Sequence, residues 1–197
     1  MDKVVRESVN GSFMLFISTK GRKPHPLIEI TINLAVEEAR PLLYFSLETD
    51  RNELLNRLIE EIAGLGEGKV QKGMLSPEEF HHFRKGAEMI AQAPLFIQEN
   101  TTIELSELEA IIVKAKVESG IEVVVVDYPA LVKMDGVSDP DQRLQKVCQE
   151  LSRLSKAHKV TIVGTILEPR SGRTEDKEKL ISLADEVIDL RHHKAVV

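Results

Sequence analysis

The run Ile121 to Val126 (IEVVVV) narrows the choice of fold more than any other stretch of this chain. Consecutive β-branched residues are stiff at χ1 and fit a pleated strand better than a helix. A strand that is apolar at every position, rather than at every second one, has both of its faces covered. The run ends in an acid, Asp127, followed by Tyr128. Such a strand belongs at the centre of a mostly parallel sheet with helices on both sides.

Further short apolar runs repeat the theme: Ser12 to Ile17, Leu42 to Ser46, Leu95 to Gln98, Val160 to Thr165 and Glu186 to Leu190. Amphipathic stretches lie between them. Leu54, Leu55, Leu58, Ile59 and Ile62 share one helical face, and Phe80, Phe83, Ala87 and Ile90 share another. The second is opened by Ser76-Pro77-Glu78-Glu79, an N-cap followed by Pro at the first helical position. Ser106 to Glu118 gathers Leu108, Ile111, Ile112 and Ala115, and the last stripe is Leu144, Val147, Cys148, Leu151 and Leu154. These are core positions without chemistry. Gly64 to Gly73, Asp135 to Asp141 and Glu168 to Lys179 read as loops. The alternation predicts an α/β fold, a single domain over 1–197 with a mostly parallel central sheet flanked by helices.

At 197 residues one domain is expected. Aromatics make up only 4% and Trp is absent, so the core must be built from Val, Ile and Leu. Cys148 is the single cysteine, which excludes an intrachain disulfide and suits a reducing compartment. The start, MDKVVRES, has no apolar run of the signal-peptide kind, and nothing approaches the roughly 18 to 20 apolar residues of a membrane span. A cytoplasmic protein without a membrane partner is expected. The net charge of -6 argues against strong general attraction to nucleic acid. Basic residues do gather at Lys20, Arg22 and Lys23, and at Arg170, Arg173, Lys177 and Lys179. The pairs His81-His82 and His192-His193 are sequence neighbours and do not converge on one metal.

Open α/β sheets bind ligands outside the carboxyl ends of their strands. The first strand is followed by Ser18-Thr19-Lys20-Gly21-Arg22-Lys23-Pro24-His25-Pro26 and then a helical pattern, the place of a phosphate-binding loop. In a working G-x-x-x-x-G-K-[ST] loop the glycines let the backbone wrap the phosphates. The lysine reaches the outer phosphates and the hydroxyl holds Mg²⁺. The second strand ends in Ser46-Leu47-Glu48, where a carboxylate can polarise an attacking water, and the Val-rich strand ends in Asp127, where a carboxylate can hold Mg²⁺.

In this order the residues resemble the C-terminal motor domain of the DnaB-type replicative DNA helicases, a RecA-like P-loop ATPase domain. The resemblance runs from about Gly11 to about Arg191. It is carried by Glu37 to Glu48 (EEARPLLYFSLE), Ala93 to Gln98 (APLFIQ), Leu105 to Ala115, Val123 to Tyr128 (VVVVDY), Gln142 to Leu154 (QRLQKVCQELSRL) and Ala184 to Val187 (ADEV). It implies ATP and Mg²⁺ as cofactors and Glu48 at the catalytic position. Lys20, Gly21, Arg22 and Lys23 fall on the nucleotide-binding loop, with Lys23 on its lysine. Asp127 falls on the Mg²⁺ ligand, and Arg170 and Arg173 on the DNA-contacting loop.

The departures from the family pattern bear on activity. Arg22 replaces a glycine, Pro24 replaces the Ser/Thr, and Leu167 stands where the family has a nucleotide-sensing glutamine. Pro24 and Pro26 also lack backbone N–H groups. Each lost charge-assisted phosphate contact costs about 1.5 to 3 kcal/mol. No counterpart of the family's N-terminal domain is expected in these residues. The favoured expectation is a pseudo-ATPase that works by protein or weak DNA binding, as a homo-oligomer or with a replicative helicase or other replication proteins. The alternative is an active ATP-dependent helicase or translocase, supported by Lys23, Glu48 and Asp127. A nucleotide or nucleic-acid sensor that binds without hydrolysis is a third.

Overall fold

The computed structural model describes residues 11–18, 26–99, 102–167, 174–189 and 194–196, with the backbone alone at 167, 174–177, 189 and 194–196. The chain alternates as the sequence pattern predicts. Strand β1 (Phe13–Ser18) precedes α1 (Pro26–Thr31), which runs directly into a π-helical segment, Ile32–Glu37. Then come β2 (Leu42–Ser46), α2 (Arg51–Ile62), α3 (Pro77–Gln92), β3 (Leu95–Glu99) and the short β4 (Ile103–Glu104). Helix α4 (Leu105–Ser119) leads to β5 (Val123–Asp127), a 3₁₀ turn at Pro129–Leu131 and β6 (Val132–Lys133). The described chain closes with α5 (Pro140–His158), β7 (Thr161–Leu167), α6 (Thr174–Leu183), β8 (Glu186–Asp189) and β9 (Lys194–Val196).

The strands form a seven-stranded sheet in the order β3-β2-β5-β7-β1-β8-β9, while β4 and β6 pair in a small sheet of their own. All neighbours are parallel except β9, which runs antiparallel to β8. Side-chain alternation splits the core into two layers. Leu43, Phe45, Val124, Val126, Ile162 and Ile166 face one side, where Leu108 and Ile112 of α4, Leu180 of α6 and the Leu144-to-Leu154 stripe of α5 cover them. Met14, Phe16, Leu42, Tyr44, Val123, Val125 and Val163 face the other, under Leu27, Ile30 and Leu34, and under Leu54 and Leu58 of α2. The valines of β5 are fully buried. Burying each stabilises the fold by about 1.5 to 3 kcal/mol relative to exposure.

Local chemistry sets the element ends. Ser76 and Glu79 form a reciprocal capping box at the start of α3, with Pro77 in the first turn. Asp139 accepts the Gln142 N–H at the start of α5, and Gly120 closes α4 in the left-handed region at φ 63°. Gly86 lets α3 approach α2 closely, since a Cβ there would lie 3.2 Å from Ile59 Cγ2.

Several expectations need correction. The loop expected over Glu168 to Lys179 gives way to α6 at Thr174, because Glu-Asp-Lys-Glu-Lys favours a helix once Leu180 is anchored in the core. The loop expected over Asp135 to Asp141 ends one residue early, with Pro140 and Asp141 in the first turn of α5. Phe80, expected on a buried face, is 58% exposed. Helix α3 packs through Gly86, Ala87 and Ile90, and its first turn projects past that contact. The expected strand end at Leu190 lies outside the described residues. Ser12 precedes β1, and β7 begins at Thr161 instead of Val160 and continues to Leu167.

Among the described residues no helix is long and apolar enough to cross a membrane. Burial pushes the Cys148 thiol up to about 12. A thiol-specific reagent should leave Cys148 unmodified in the native protein and label it fully in denaturant, and labelling at the rate of a free thiol would contradict this packing. Gly164 of β7 makes a second tight contact, since a Cβ there would lie 2.9 Å from Pro129 Cγ. Gly164→Val should therefore lower unfolding stability by about 1 to 3 kcal/mol, read from denaturant melts.

Candidate functional site at the carboxyl ends of the strands

Parallel pairing brings the carboxyl ends of β1, β7, β5 and β2 to one edge of the sheet. The register places Ser46 opposite Asp127, Val126 opposite Gly164, and Phe16 opposite Thr165. Helix α1 crosses one face on the way from β1 to β2, and α6 crosses the other on the way from β7 to β8. The strand order thus reverses next to β1, the kind of place where open α/β sheets receive ligands.

Asp127 is the last residue of β5 and is 6% exposed. By alternation its side chain belongs to the face of Val123 and Val125. The Tyr44 hydroxyl donates to Asp127 Oδ2 at 3.2 Å. Tyr44 lies on the same face of the neighbouring strand and is 1% exposed. Burial first, then the Asp127 charge and the hydrogen bond to it, push the Tyr44 phenol well above its ordinary range, against the opposing charge of Arg57 on α2. Arg57 is held 2.5 Å from Glu53 one turn earlier. The Ser46 hydroxyl is turned back to the Thr49 carbonyl at 2.5 Å, inside the turn that leads to α2. Thr165, 5% exposed, carries a further hydroxyl on the Asp127 face of β7.

The backbone after the acid is constrained. Tyr128 has φ 70° and ψ 73°, a left-handed conformation that is uncommon for a bulky residue. Such strain persists only where the surroundings over-determine it. Here the next residue, Pro129, packs onto Gly164, and the Leu131 N–H returns to the Tyr128 carbonyl at 3.0 Å.

Of the residues singled out in the sequence, the structure brings the ends of β2 and β5 side by side. Asp127 is buried at one end, and Glu48 is exposed two residues beyond Ser46 at the other. Lys20, Gly21, Arg22, Lys23, Arg170 and Arg173 lie outside the described residues, as does Pro24. The Leu167 backbone ends β7 opposite Ser18. The residue the sequence did not single out is Tyr44. Its position two residues before Ser46 assigns it to one face of β2, but only the β2–β5 register turns that face toward Asp127.

The donor set suits a Mg²⁺–nucleotide poorly. Mg²⁺ sheds water reluctantly and keeps several waters when bound through a carboxylate. Asp127 is nearly closed to water and has one oxygen committed to a phenol. In the sequence, the residue after Lys23 is proline and offers no hydroxyl.

A model of the DnaB-like helicase C-terminal domain matches residues 22–184. The chain belongs to this family. It is 28% identical over 132 residues to the replicative DNA helicase DnaB of Treponema pallidum, covering 66% of this chain and 30% of that protein. It is 24% identical over 162 residues to a probable plasmid replicative DNA helicase of Chlamydia trachomatis, covering 82% and 36%. The chain thus spans about a third of the length of these relatives. Among solved structures, an isolated ATPase domain superposes with a TM-score of 0.78 at 14% identity, over 92% of this chain and 70% of that one. A DnaB-like replicative helicase studied for its interactions with primase superposes at 0.76 and 13%, over 92% and 47%. These likenesses establish the RecA-like fold.

Tyr44→Phe should cost about 0.5 to 1.5 kcal/mol near neutral pH, the worth of one buried hydrogen bond. The folded pKa of Tyr44 is raised above its unfolded value, so its contribution is complete below about pH 10 and fades as pH climbs toward the folded value. Urea melts at stepped pH should show a constant wild-type advantage below that point and a shrinking one above it. An advantage independent of alkaline pH would contradict the assignment.

Proposed function

We infer that this chain is a RecA-type domain of the replicative helicase family that serves DNA replication by binding, and that it does not turn over ATP. The observation that carries this reading is the state of Asp127. The carboxylate at the family's Mg²⁺ position is buried and bonded to Tyr44. The sequence supports it from the other side of the site, where Arg22 and Pro24 replace a glycine and a hydroxyl residue that a phosphate loop needs. The partners that fit are a second copy of this chain or another replication protein, since the relatives it matches are named replicative helicases. Arg170 and Arg173 would give DNA contacts that a net charge of -6 keeps weak.

An active helicase or translocase is the second reading, favoured by the pairing of β2 with β5, which sets Ser46 against Asp127 and brings Glu48 to the same edge. Lys23 would reach the phosphates, Glu48 would polarise water, and ATP with Mg²⁺ would be the cofactors. Calorimetry with Mg-ATP, followed by turnover assays with and without single-stranded DNA, separates the two. The binding reading expects no heat of binding at millimolar nucleotide and no turnover; micromolar binding with DNA-stimulated turnover would sink it. Arg22→Gly combined with Pro24→Thr should restore nucleotide affinity by at least about tenfold, because it returns the close backbone approach and one Mg²⁺ hydroxyl.

A further inference from the structure

We propose that Tyr44 is a lock on Asp127, a positioning residue that holds the carboxylate in a closed arrangement and keeps a divalent cation from it. The inference deepens the binding reading above and rests on it.

The geometry selects tyrosine. Tyr44 stands two residues before Ser46, and Ser46 is the register partner of Asp127. Two residues of strand rise about 6.6 Å. That is close to the reach of a phenol oxygen from its own Cβ, so a tyrosine on this face meets the end of the next strand. Serine or threonine at the same position is too short, and phenylalanine has the reach without the donor.

The ring cannot readily swing away. Tyr44 is 1% exposed in the layer that holds Met14, Phe16, Leu54, Leu58, Val125 and Val163. Moving it would open a cavity in a close-packed region. The hydroxyl has Asp127 Oδ2 as its acceptor at 3.2 Å. A cation approaching Asp127 must therefore compete with a donor already fixed in place, on a carboxylate that is 6% exposed. Hydrogen bonds to a charged acceptor are stronger than neutral ones, so the competition is appreciable.

Mn²⁺ is the probe, used on the full chain without nucleotide and followed by electron paramagnetic resonance and calorimetry. Tyr44→Phe removes the donor and keeps the ring, and should tighten Mn²⁺ binding by about tenfold or more. Tyr44→Ile removes both and should give at least the same gain, so one folded variant suffices if the other melts early in circular dichroism. The gain must vanish when Asp127→Asn is added to either variant. Unchanged or weaker Mn²⁺ binding in a folded variant, or a gain that survives Asp127→Asn, overturns the lock. The two readings fail separately: ATP turnover by the wild type removes the binding reading without touching the Mn²⁺ comparison, and an unchanged Mn²⁺ affinity removes the lock and leaves the binding reading standing.

Discussion

Strand β5 has a neighbour on each edge and a helical layer on each face, and the rest of the domain is arranged around that double burial. A strand with valine on both faces has a weakness. Slipping it by one residue would exchange one set of valines for another, so its own pattern does little to fix its register. The register must come from what surrounds it. On one side Tyr44 and Ser46 of β2 meet Val125 and Asp127. On the other, Gly164 of β7 leaves the notch into which Pro129 fits. A slipped β5 would move Asp127 to the other face, away from the Tyr44 hydroxyl and into an aliphatic layer, where burying a carboxylate is costly. The polar residue that marks the site is therefore also what pins the central strand.

Much of the fold was legible in the sequence because the signals were local. A run such as IEVVVV needs no partner to be read as a buried strand, and the stripe from Leu144 to Leu154 declares its period alone. Asp127 and Glu48 were legible as candidates for the same reason, being polar residues at the ends of such runs. What escaped was whatever depends on pairing or on the limits of packing. The role of Tyr44 needs the β2–β5 register, which is a relation between strands and not a property of either. The small β4–β6 sheet is two residues long on each side, too short to carry alternation. Phe80 keeps the period of a buried face and is exposed because α3 outruns the surface it packs on. The π-helical turn at Ile32–Glu37 has the same apolar content as an α-helix there would have.

A TM-score of 0.78 at 14% identity shows how little of this architecture depends on particular residues. Apolar runs of the right length and order suffice for the sheet, and the helices follow. Function within one fold is then decided by a few side chains at the strand ends. In this chain those ends carry hydroxyls, on Tyr44, Ser46 and Thr165, around a single buried acid. Two of these groups are already engaged within the protein, Tyr44 with Asp127 and Ser46 with the Thr49 carbonyl.

The persistence of Asp127 beside an altered phosphate loop looks at first like evidence for turnover. The energetics give a different account. Replacing Asp127 with an apolar residue would leave the Tyr44 hydroxyl without this acceptor at 1% exposure, and an unsatisfied buried donor costs about 1 to 3 kcal/mol. It would also remove the polar mark that fixes the end of β5 ahead of the strained Tyr128 backbone. A penalty of that size is a large fraction of a domain's net stability. Asp127 is thus held in place by folding as firmly as it would be by catalysis. Its presence alone cannot decide between the two. The exposed Glu48 makes no such contribution to the core, so of the two acids it is the one whose retention bears on chemistry.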